Sequence, residues 1–272
     1  MNAPADSPEK RRQFGFICAV MVAALSYAFM TSGVMLPLEP TEGIFPGGTY
    51  CYKLTHRDYA ASMGLGRRVT KDVIGSEKST SEQRREVEKI MYHMFFDNPL
   101  QVGGRYLRWA TGILVPDSQK EKVDKLLSLN TPSGTEATTK RYPAQAELTD
   151  LSASEVFQML PYEVATLPAV DALILQFPHT HGFVSALVVS YKIIPALQKL
   201  SIEKGGSETN PIVISTCRKD EEMCTFYVPL GQTEAFSLGL PNTTTYQKSL
   251  PKEDVISWES LKQGARKLVP SA

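Results

Sequence analysis

The stretch that decides the fold is residues 210–228, NPIVISTCRKDEEMCTFYV. It begins with an Asn-Pro pair, a common breaker, and continues into Ile212–Thr216, whose β-branched residues predict a strand. The charged segment Arg218–Glu222 predicts a turn, and Cys224–Val228 predicts a second strand. The stretch therefore predicts a β-hairpin that follows an Asn-Pro step.

An amphipathic helix is predicted immediately before this hairpin. Residues Phe183–Lys204 place apolar side chains at helical spacing, and Pro195 is expected to kink this helix or divide it in two. Two further strands, Tyr162–Thr166 and Ala172–Phe177, are predicted on either side of Pro168. The second half of the chain thus has the order strand, helix, Asn-Pro step, strand, turn, strand.

The first half of the chain repeats this order. Thr49–Thr55 predicts a strand and Glu82–Met94 predicts a helix. The pair Asn98-Pro99 follows, and Tyr106–Val115 predicts another strand. One such unit leaves a sheet face uncovered unless it packs on a second unit. We therefore expect an α+β fold built from duplicated strand-helix-strand-strand units.

The segments outside this pattern set the expected domain boundaries. Residues 116–150 interrupt the pattern and are interpreted as an insertion, in which 118–129 predicts a short helix. We expect a flexible N-terminus at 1–13, a transmembrane helix at 14–36, a linker at 37–48, the duplicated domain at 49–236 and a flexible tail at 237–272.

The membrane prediction depends on Phe14–Leu36, which has no charged residue. As a helix this segment would be roughly 35 Å long, enough to cross a bilayer core of about 30 Å. The alternative is a cleaved secretory signal with Lys10–Arg12 as its basic region, although signal cores are normally shorter. We therefore expect a single-pass anchor.

The orientation of the predicted span in the membrane is left open, and two observations bear on it. The basic cluster before the span favours a cytosolic N-terminus and a lumenal or extracellular body. Asn242, Thr243 and Thr244 form a glycosylation sequon, which is used only when that region faces a lumen.

Charge and cysteine content limit the classes of partner. Lys plus Arg equal Asp plus Glu at 29 each, so no overall field favours nucleic acid, which we do not expect as a partner. Cys217 and Cys224 could face each other across the predicted hairpin, and a disulfide between them would require an oxidising compartment.

The duplicated unit behind one N-terminal span resembles the GyrI-like effector-binding domain, and specifically the testis-expressed ER-phagy receptor family that carries it. The resemblance covers roughly residues 14–236 and depends on the order of several short motifs. These motifs are Tyr50–Lys53, Phe96–Pro99, Gly112–Leu114, Phe177-Pro178, Pro195–Leu197 and Tyr227–Pro229.

The resemblance implies a receptor in the endoplasmic reticulum membrane, with its body in the cytosol and a tail that binds ubiquitin-like autophagy modifiers. The matching core is Trp258, Glu259, Ser260 and Leu261, with the acidic flank Glu253 and Asp254. Such a peptide would add a strand to a sheet edge of the modifier. Alternatively, residues 257–268 form an amphipathic helix that docks on the body. The short tail and the basic N-terminus depart from the family.

The resemblance also implies a pocket between the two halves, which in some bacterial relatives binds or hydrolyses small molecules. Aromatic candidates for its lining are Tyr52, Trp109, Tyr162 and Tyr227, although aromatic residues on sheets more often belong to a core. The rival hypothesis to the receptor is therefore a lumenal or secreted domain that binds, or hydrolyses, a small molecule. A membrane-tethered module with a different protein partner is a third.

No catalytic motif supports an enzyme assignment, so none is predicted. The chain lacks G-x-S-x-G, P-loop, H-E-x-x-H and C-x-x-C patterns. His179 and His181 would share one face of an extended segment, but they lack a third ligand, and we expect neither a metal nor a cofactor. His56 and His93 are expected at the surface.

Overall fold

The computed structural model describes residues 8–31, 33–75, 80–129, 153–178, 183–205, 211–218 and 220–250. Within them, eight strands form one antiparallel sheet with the order β1-β6-β8-β7-β3-β4-β2-β5. The strands are β1 Thr41–Phe45, β2 Gly48–His56, β3 Met91–Phe95, β4 Arg108–Val115, β5 Glu163–Leu167, β6 Val170–Pro178, β7 Val213–Arg218 and β8 Met223–Pro229.

Most helices pack on one face of this sheet, whereas the short helix Thr233–Phe236 packs against the opposite face through Phe236. In chain order, the described helices are α1 Pro8–Thr31, α2 Ser62–Ile74, α3 Ser81–Lys89, α4 Lys120–Ser128, α5 Ala153–Met159, α6 Phe183–Val188, α7 Ile194–Glu203, α8 Thr233–Phe236 and α9 Thr243–Ser249. A five-residue π-helical turn, Val189–Ile193, joins α6 to α7.

The duplication predicted from the sequence is confirmed by the path of the chain. The first half, residues 48–115, contains β2, the helices α2 and α3, then β3 and β4. The second half, residues 170–229, contains β6, the helices α6 and α7, then β7 and β8. The two halves join where β3 pairs with β7, and this pairing makes one continuous curled sheet. The arrangement fits a GyrI-like fold.

Each half also receives an edge strand from outside its own range. β1, which precedes the first half, pairs with β6 of the second half, and β5, which precedes the second half, pairs with β2 of the first. The prediction of a linker at 37–48 is therefore wrong for Thr41–Phe45. The three prolines and three glycines of residues 37–48 suggested a flexible segment. An edge strand, however, can form without a regular apolar pattern of its own, so the composition did not reveal it.

The connections that precede the two halves lie against each other. Pro46-Gly47 joins β1 to β2, and Pro168-Ala169 joins β5 to β6. Gly47 has φ +67°, and a Cβ atom there would lie 2.6 Å from the backbone nitrogen of Ala169. Only glycine tolerates both the left-handed conformation and this close approach. The exchange of edge strands therefore depends on Gly47.

The helix predicted over Glu82–Met94 is wrong in its second part. α3 begins after the N-cap Thr80, whose side chain and that of Gln83 form a capping box. The helix ends at Lys89, and β3 begins at Met91. β3 is a central strand with both faces buried, so it carries apolar residues on both sides. Together with the one apolar side chain of α3, Met91 and Met94 therefore give the spacing expected of a helix.

The N-terminal helix differs from the predicted membrane span. α1 begins at Pro8, and the chain leaves it at a turn in which Gly33 has φ +74°. Lys192 donates hydrogen bonds to the carbonyl oxygens of Val34 and Leu36, which holds this turn against the domain. The uncharged part of α1 is thus roughly 27 Å long. Among the described residues, no helix has both the length and the apolar character needed to cross a membrane.

The tail predicted at 237–272 is docked on the body up to residue 250. Thr243 at the start of α9 donates hydrogen bonds to Asp97 Oδ1 and to the carbonyl of Phe96. The Tyr246 ring lies 4.0 Å from the guanidinium of Arg108. The polar composition of this segment indicated a flexible tail, but polar side chains here satisfy buried groups of the first half.

Candidate functional site

A cleft of about 610 Å³ lies on the helix-covered side of the sheet, at the junction of the two halves. α2 and α3 of the first half form one wall, and α6 with the π-helical turn forms the other. Strands β3, β7 and β8 form its floor. The cleft exists only because β3 and β7 pair, since each half supplies one wall and part of the floor.

The alternation of side chains along β3 determines which of its residues contribute to the floor of the cleft. Met91, His93 and Phe95 point into the cleft, whereas Met94 packs in the separate core on the opposite face of the sheet. Phe226 of β8 adds a further aromatic ring to the floor. The deep part of the cleft is therefore predominantly apolar.

His93 is the one titratable ring among the described residues of the floor. Its Nδ1 atom lies 2.8 Å from the Thr111 hydroxyl oxygen, and burial lowers the pKa of His93 to about 4. The ring is therefore neutral at pH 7. A Cβ atom added at Gly66 of α2 would lie 3.4 Å from His93 Cε1, so the small residue keeps this part of the cleft open. His93, expected at the surface, is instead half-buried on the floor of the cleft.

Cys217 and Cys224, which the sequence allowed to face each other across the hairpin, are paired in the structure. The two residues are opposite each other on β7 and β8, and they form a disulfide that belongs to the floor of the cleft. The bond closes the hairpin that the sequence indicated. Disulfides of this kind persist in oxidising compartments.

The mouth of the cleft carries several charged side chains. Arg67 and Lys71 are one helical turn apart on α2 and both are exposed. Arg84 and Glu88 have the same spacing on α3. The exposed charges and the apolar floor give the cleft two chemically different ends.

The other wall contains the helix interruption predicted at Pro195. Proline has no N–H group, and its ring would clash with the carbonyl of residue 191 in a regular α-helix. The chain widens instead, and the Ile194 N–H donates to the carbonyl of Val189, five residues earlier. Val189 and Ser190 of this wider turn line the cleft. The chain stays helical through this region, so the expected disturbance at Pro195 takes the form of a π-helical turn, which shapes the wall.

The four aromatic residues predicted for a pocket are not among those that line this cleft. Tyr52 donates a hydrogen bond to Glu163, Trp109 donates to the carbonyl of Arg57, and Tyr162 donates to Asp72. Tyr227 packs edge-on against Phe45, at 5.5 Å between ring centroids. Their hydrogen bonds and ring contacts place them in the cores and edges of the sheet.

Tyr162 belongs to a buried polar cluster around Lys53. The Lys53 amine donates to the carbonyl of Phe157, lies 3.9 Å from Asp72 and sits 4.5 Å from the centre of the Tyr162 ring. Burial lowers the pKa of Lys53, and the neighbouring Asp72 opposes this shift. This cluster is separate from the cleft, because none of its members lines it.

The sequon residue Asn242 serves as the N-cap of α9. Its side-chain oxygen accepts a hydrogen bond of 2.8 Å from the Thr245 N–H. The amide nitrogen, which carries the sugar in a glycosylated asparagine, is not the atom that caps the helix.

Several predicted site residues lie outside the described residues. They are Trp258, Glu259, Ser260 and Leu261, the acidic flank Glu253 and Asp254, and the pair His179 and His181. Within the described part of the chain, no group of three His, Cys, Asp or Glu side chains could hold a metal ion.

Sequence reasoning missed part of one wall of the cleft. α2 was not predicted, although Leu65, Val69 and Val73 recur at intervals of four and are all buried. That spacing is the signal from which α2 could have been identified. His93 was missed for a different reason, because its strand was interpreted as part of a helix.

No family model matches the chain, and no curated protein matches it. Among solved structures, the crystal structure of the EcmrR C-terminal domain aligns at 10% identity with a TM-score of 0.35, over 71% of this chain and 98% of that one. An EcmrR–DNA complex aligns at 9% identity with a TM-score of 0.35, over 82% of this chain and 72% of that one. A hydrolase from Listeria innocua aligns at 9% identity with a TM-score of 0.32, over 71% and 92%. At these scores the alignments carry no argument about activity.

Proposed function

We propose that this chain is a small-molecule-binding domain whose ligand occupies the cleft between the two halves. The observation that carries this proposal is the cleft itself, about 610 Å³ in volume, with an apolar floor and walls from both halves. Ligand sites in proteins are typically clefts of about 300–1,000 Å³ that combine apolar lining with a few polar groups. Ser190 and Ser215 supply such groups beside Phe95 and Phe226.

The proposed role is binding without turnover. Catalysis by proton transfer uses a group whose pKa lies near the working pH. Burial instead lowers the pKa of His93 to about 4, so the ring is a weak base at pH 7. A neutral ring with one nitrogen held by Thr111 is suited to a hydrogen bond with a ligand.

A lumenal or secreted location is proposed for the domain. The support is the disulfide between Cys217 and Cys224, since such bonds are rare in reducing compartments. The autophagy-receptor role stays a prediction from the sequence, because Trp258 and Leu261 lie outside the described residues. Nothing in the described residues supports that role.

The proposal is tested by filling the cleft. Ala186 of α6 is half-buried and lines the cleft, whereas its neighbour Leu187 is exposed and does not. We expect Ala186→Trp to weaken binding of the fluorescent probe N-phenyl-1-naphthylamine by about tenfold or more, a loss of about 1.4 kcal/mol. Leu187→Trp adds the same ring outside the cleft and should leave the affinity within about twofold.

A second variant protects the test against misfolding. Met63 also lines the cleft and is 44% exposed, so Met63→Trp should fold even if Ala186→Trp does not. Near-ultraviolet circular dichroism checks the fold of each variant. If the probe binds both cleft variants as tightly as the Leu187→Trp protein, the cleft is not the binding site and the proposal is overturned.

A further inference from the structure

The charges that line the cleft differ from those of the whole chain. Arg67, Lys71 and Arg84 are cationic, and Glu88 is the one carboxylate among the described lining residues. The complete chain carries 29 cationic and 29 acidic side chains, so its net charge is zero. The positive excess at the cleft is therefore local and does not follow from a basic chain.

The arrangement of these cations is unfavourable for the helix that carries two of them. Arg67 and Lys71 are four residues apart on α2, where like charges repel each other. The position of Lys71 in the last turn of α2 is favourable, but Arg67 lies in the middle of the helix. The cleft wall thus holds two neighbouring positive charges that an anion at the mouth would stabilise.

The cations are confined to the mouth. Arg67, Lys71 and Arg84 are all exposed, whereas Phe95 and Phe226 on the floor are at most 3% exposed. The neutral state of His93 keeps positive charge out of the interior. The cleft is therefore predominantly apolar and uncharged in its depth and positive at its opening.

From this separation we infer that the ligand is an amphipathic anion. Its apolar body lies on the floor beside Phe95 and Phe226, and its carboxylate, sulfonate or phosphate group lies at the mouth among the cations Arg67, Lys71 and Arg84. An arginine fork pairs well with such planar or multidentate anions. This inference depends on the proposed function, since it assigns the ligand of the same cleft.

Two probes with one shared skeleton separate charge from apolar contact. The anionic probe is 8-anilinonaphthalene-1-sulfonate, and N-phenyl-1-naphthylamine is its neutral counterpart without the sulfonate. We expect the double variant Arg67→Gln and Arg84→Gln to weaken binding of the anionic probe by about five- to tenfold, because each exposed charge pair contributes modestly. Binding of the neutral probe should change by less than about twofold.

A control with the same change in net charge shows whether the effect is local. Arg85 and Lys248 are exposed and do not line the cleft. The double variant Arg85→Gln and Lys248→Gln should leave the affinity for both probes unchanged. Raising the ionic strength from about 0.01 M to 0.15 M should weaken binding of the anionic probe to the unmodified protein, because salt screens exposed charges.

The outcomes distinguish this inference from the proposed function. If Ala186→Trp abolishes binding of both probes but the Arg67 and Arg84 substitutions change neither affinity, the cleft binds ligands and the anionic assignment is wrong. An equal loss of both probes in the arginine variant also overturns the assignment, because charge is then not what the cleft selects. If Ala186→Trp affects neither probe, the proposed function itself fails.

Discussion

The two halves of this protein follow the same path but are held together by different chemistry. In the first half, Asp97 and Arg108 form an ion pair of 2.6 Å whose side chains are at most 1% exposed. In the second half, the corresponding closure of two adjacent strands is the disulfide between Cys217 and Cys224. Strand pairing therefore defines the repeated unit, while the bonds that secure each copy differ.

The difference extends to the strand that begins each half. On its helix-covered side, β2 of the first half carries Cys51 and the buried amine of Lys53. The corresponding side of β6 in the second half is apolar, with Leu173 and Leu175 in the core. The first half thus buries charge and must satisfy it, whereas the second half relies on apolar packing and one covalent bond. The two halves should respond differently to substitution, reduction and pH.

The largest expected effect comes from breaking the ion pair of the first half. Arg108→Ala would leave Asp97 buried without a charged partner and would remove the hydrogen bond that Arg108 donates to the carbonyl of Pro241. We expect the free energy of unfolding to fall by about 3–5 kcal/mol, measured by urea denaturation. Arg105→Ala is the control, because Arg105 is exposed and should contribute less than about 1 kcal/mol. A loss below about 1 kcal/mol for Arg108→Ala would contradict the central role given to this pair.

The next largest effect concerns the second half. The double substitution Cys217→Ser and Cys224→Ser opens a short loop, since the cysteines are seven residues apart. Chain-entropy estimates for such a loop give a loss of about 2–3 kcal/mol in the free energy of unfolding. Reductant should lower the stability of the unmodified protein by a similar amount and leave the double variant unchanged. Equal sensitivity of both proteins to reductant would show that the disulfide is not the responsible group.

The smallest effect concerns His93, which lies on the first half's side of the junction opposite Ser215 of the second half. Burial lowers the pKa of His93 from 6.5 to about 4, so the unfolded chain takes up the proton first as the pH falls. Stability from this group is fully present above about pH 6.5 and is lost as the pH falls toward 4. Because the ring is only partly covered, we expect a loss of up to about 2 kcal/mol.

The His93 effect is measured as a difference between two proteins. His93→Gln should flatten the fall in unfolding free energy between pH 7 and about 4.5, relative to the unmodified protein. His56 contributes in the same direction, because burial and the nearby Arg108 charge lower its pKa, and it is unchanged in both proteins. Identical pH profiles for the two proteins would exclude His93 as a buried neutral group.

The local sequence was sufficient to predict an element where one short segment contains all the residues that determine its structure. The hairpin around Arg218–Glu222 is identified by two strand-like runs and a charged turn, and the structure places Cys217 opposite Cys224 in its register. The break in the helix at Pro195 follows from the missing N–H group of one residue. The order of strand, helix and strand in each half was visible in the same way, although β3 of the first half was interpreted as part of a helix.

The two Asn-Pro pairs occupy different places in the two halves. Asn98-Pro99 follows β3, whereas Asn210-Pro211 precedes β7, so the two Asn-Pro pairs are not equivalent positions. The equivalent pair of connections is Pro46-Gly47 and Pro168-Ala169, each of which leads into the first strand of a half. The duplication was therefore correct, although one of its supporting signals was a coincidence.

By itself, the sequence determined the order of most helices and strands, the hairpin of the second half and its interrupted helix. Only the tertiary structure decided that β1 and β5 exchange halves, that Met91–Phe95 is a strand, and that α9 docks on Asp97 and Arg108. The physical reason is the range of the interactions. Turn residues, prolines and apolar spacing act within a few positions, whereas the edge pairings, the pairing of β3 with β7 and the contacts of α9 with the buried ion pair join groups more than about 100 residues apart. The cleft between the halves, and with it the proposed ligand site, depends entirely on these long-range contacts.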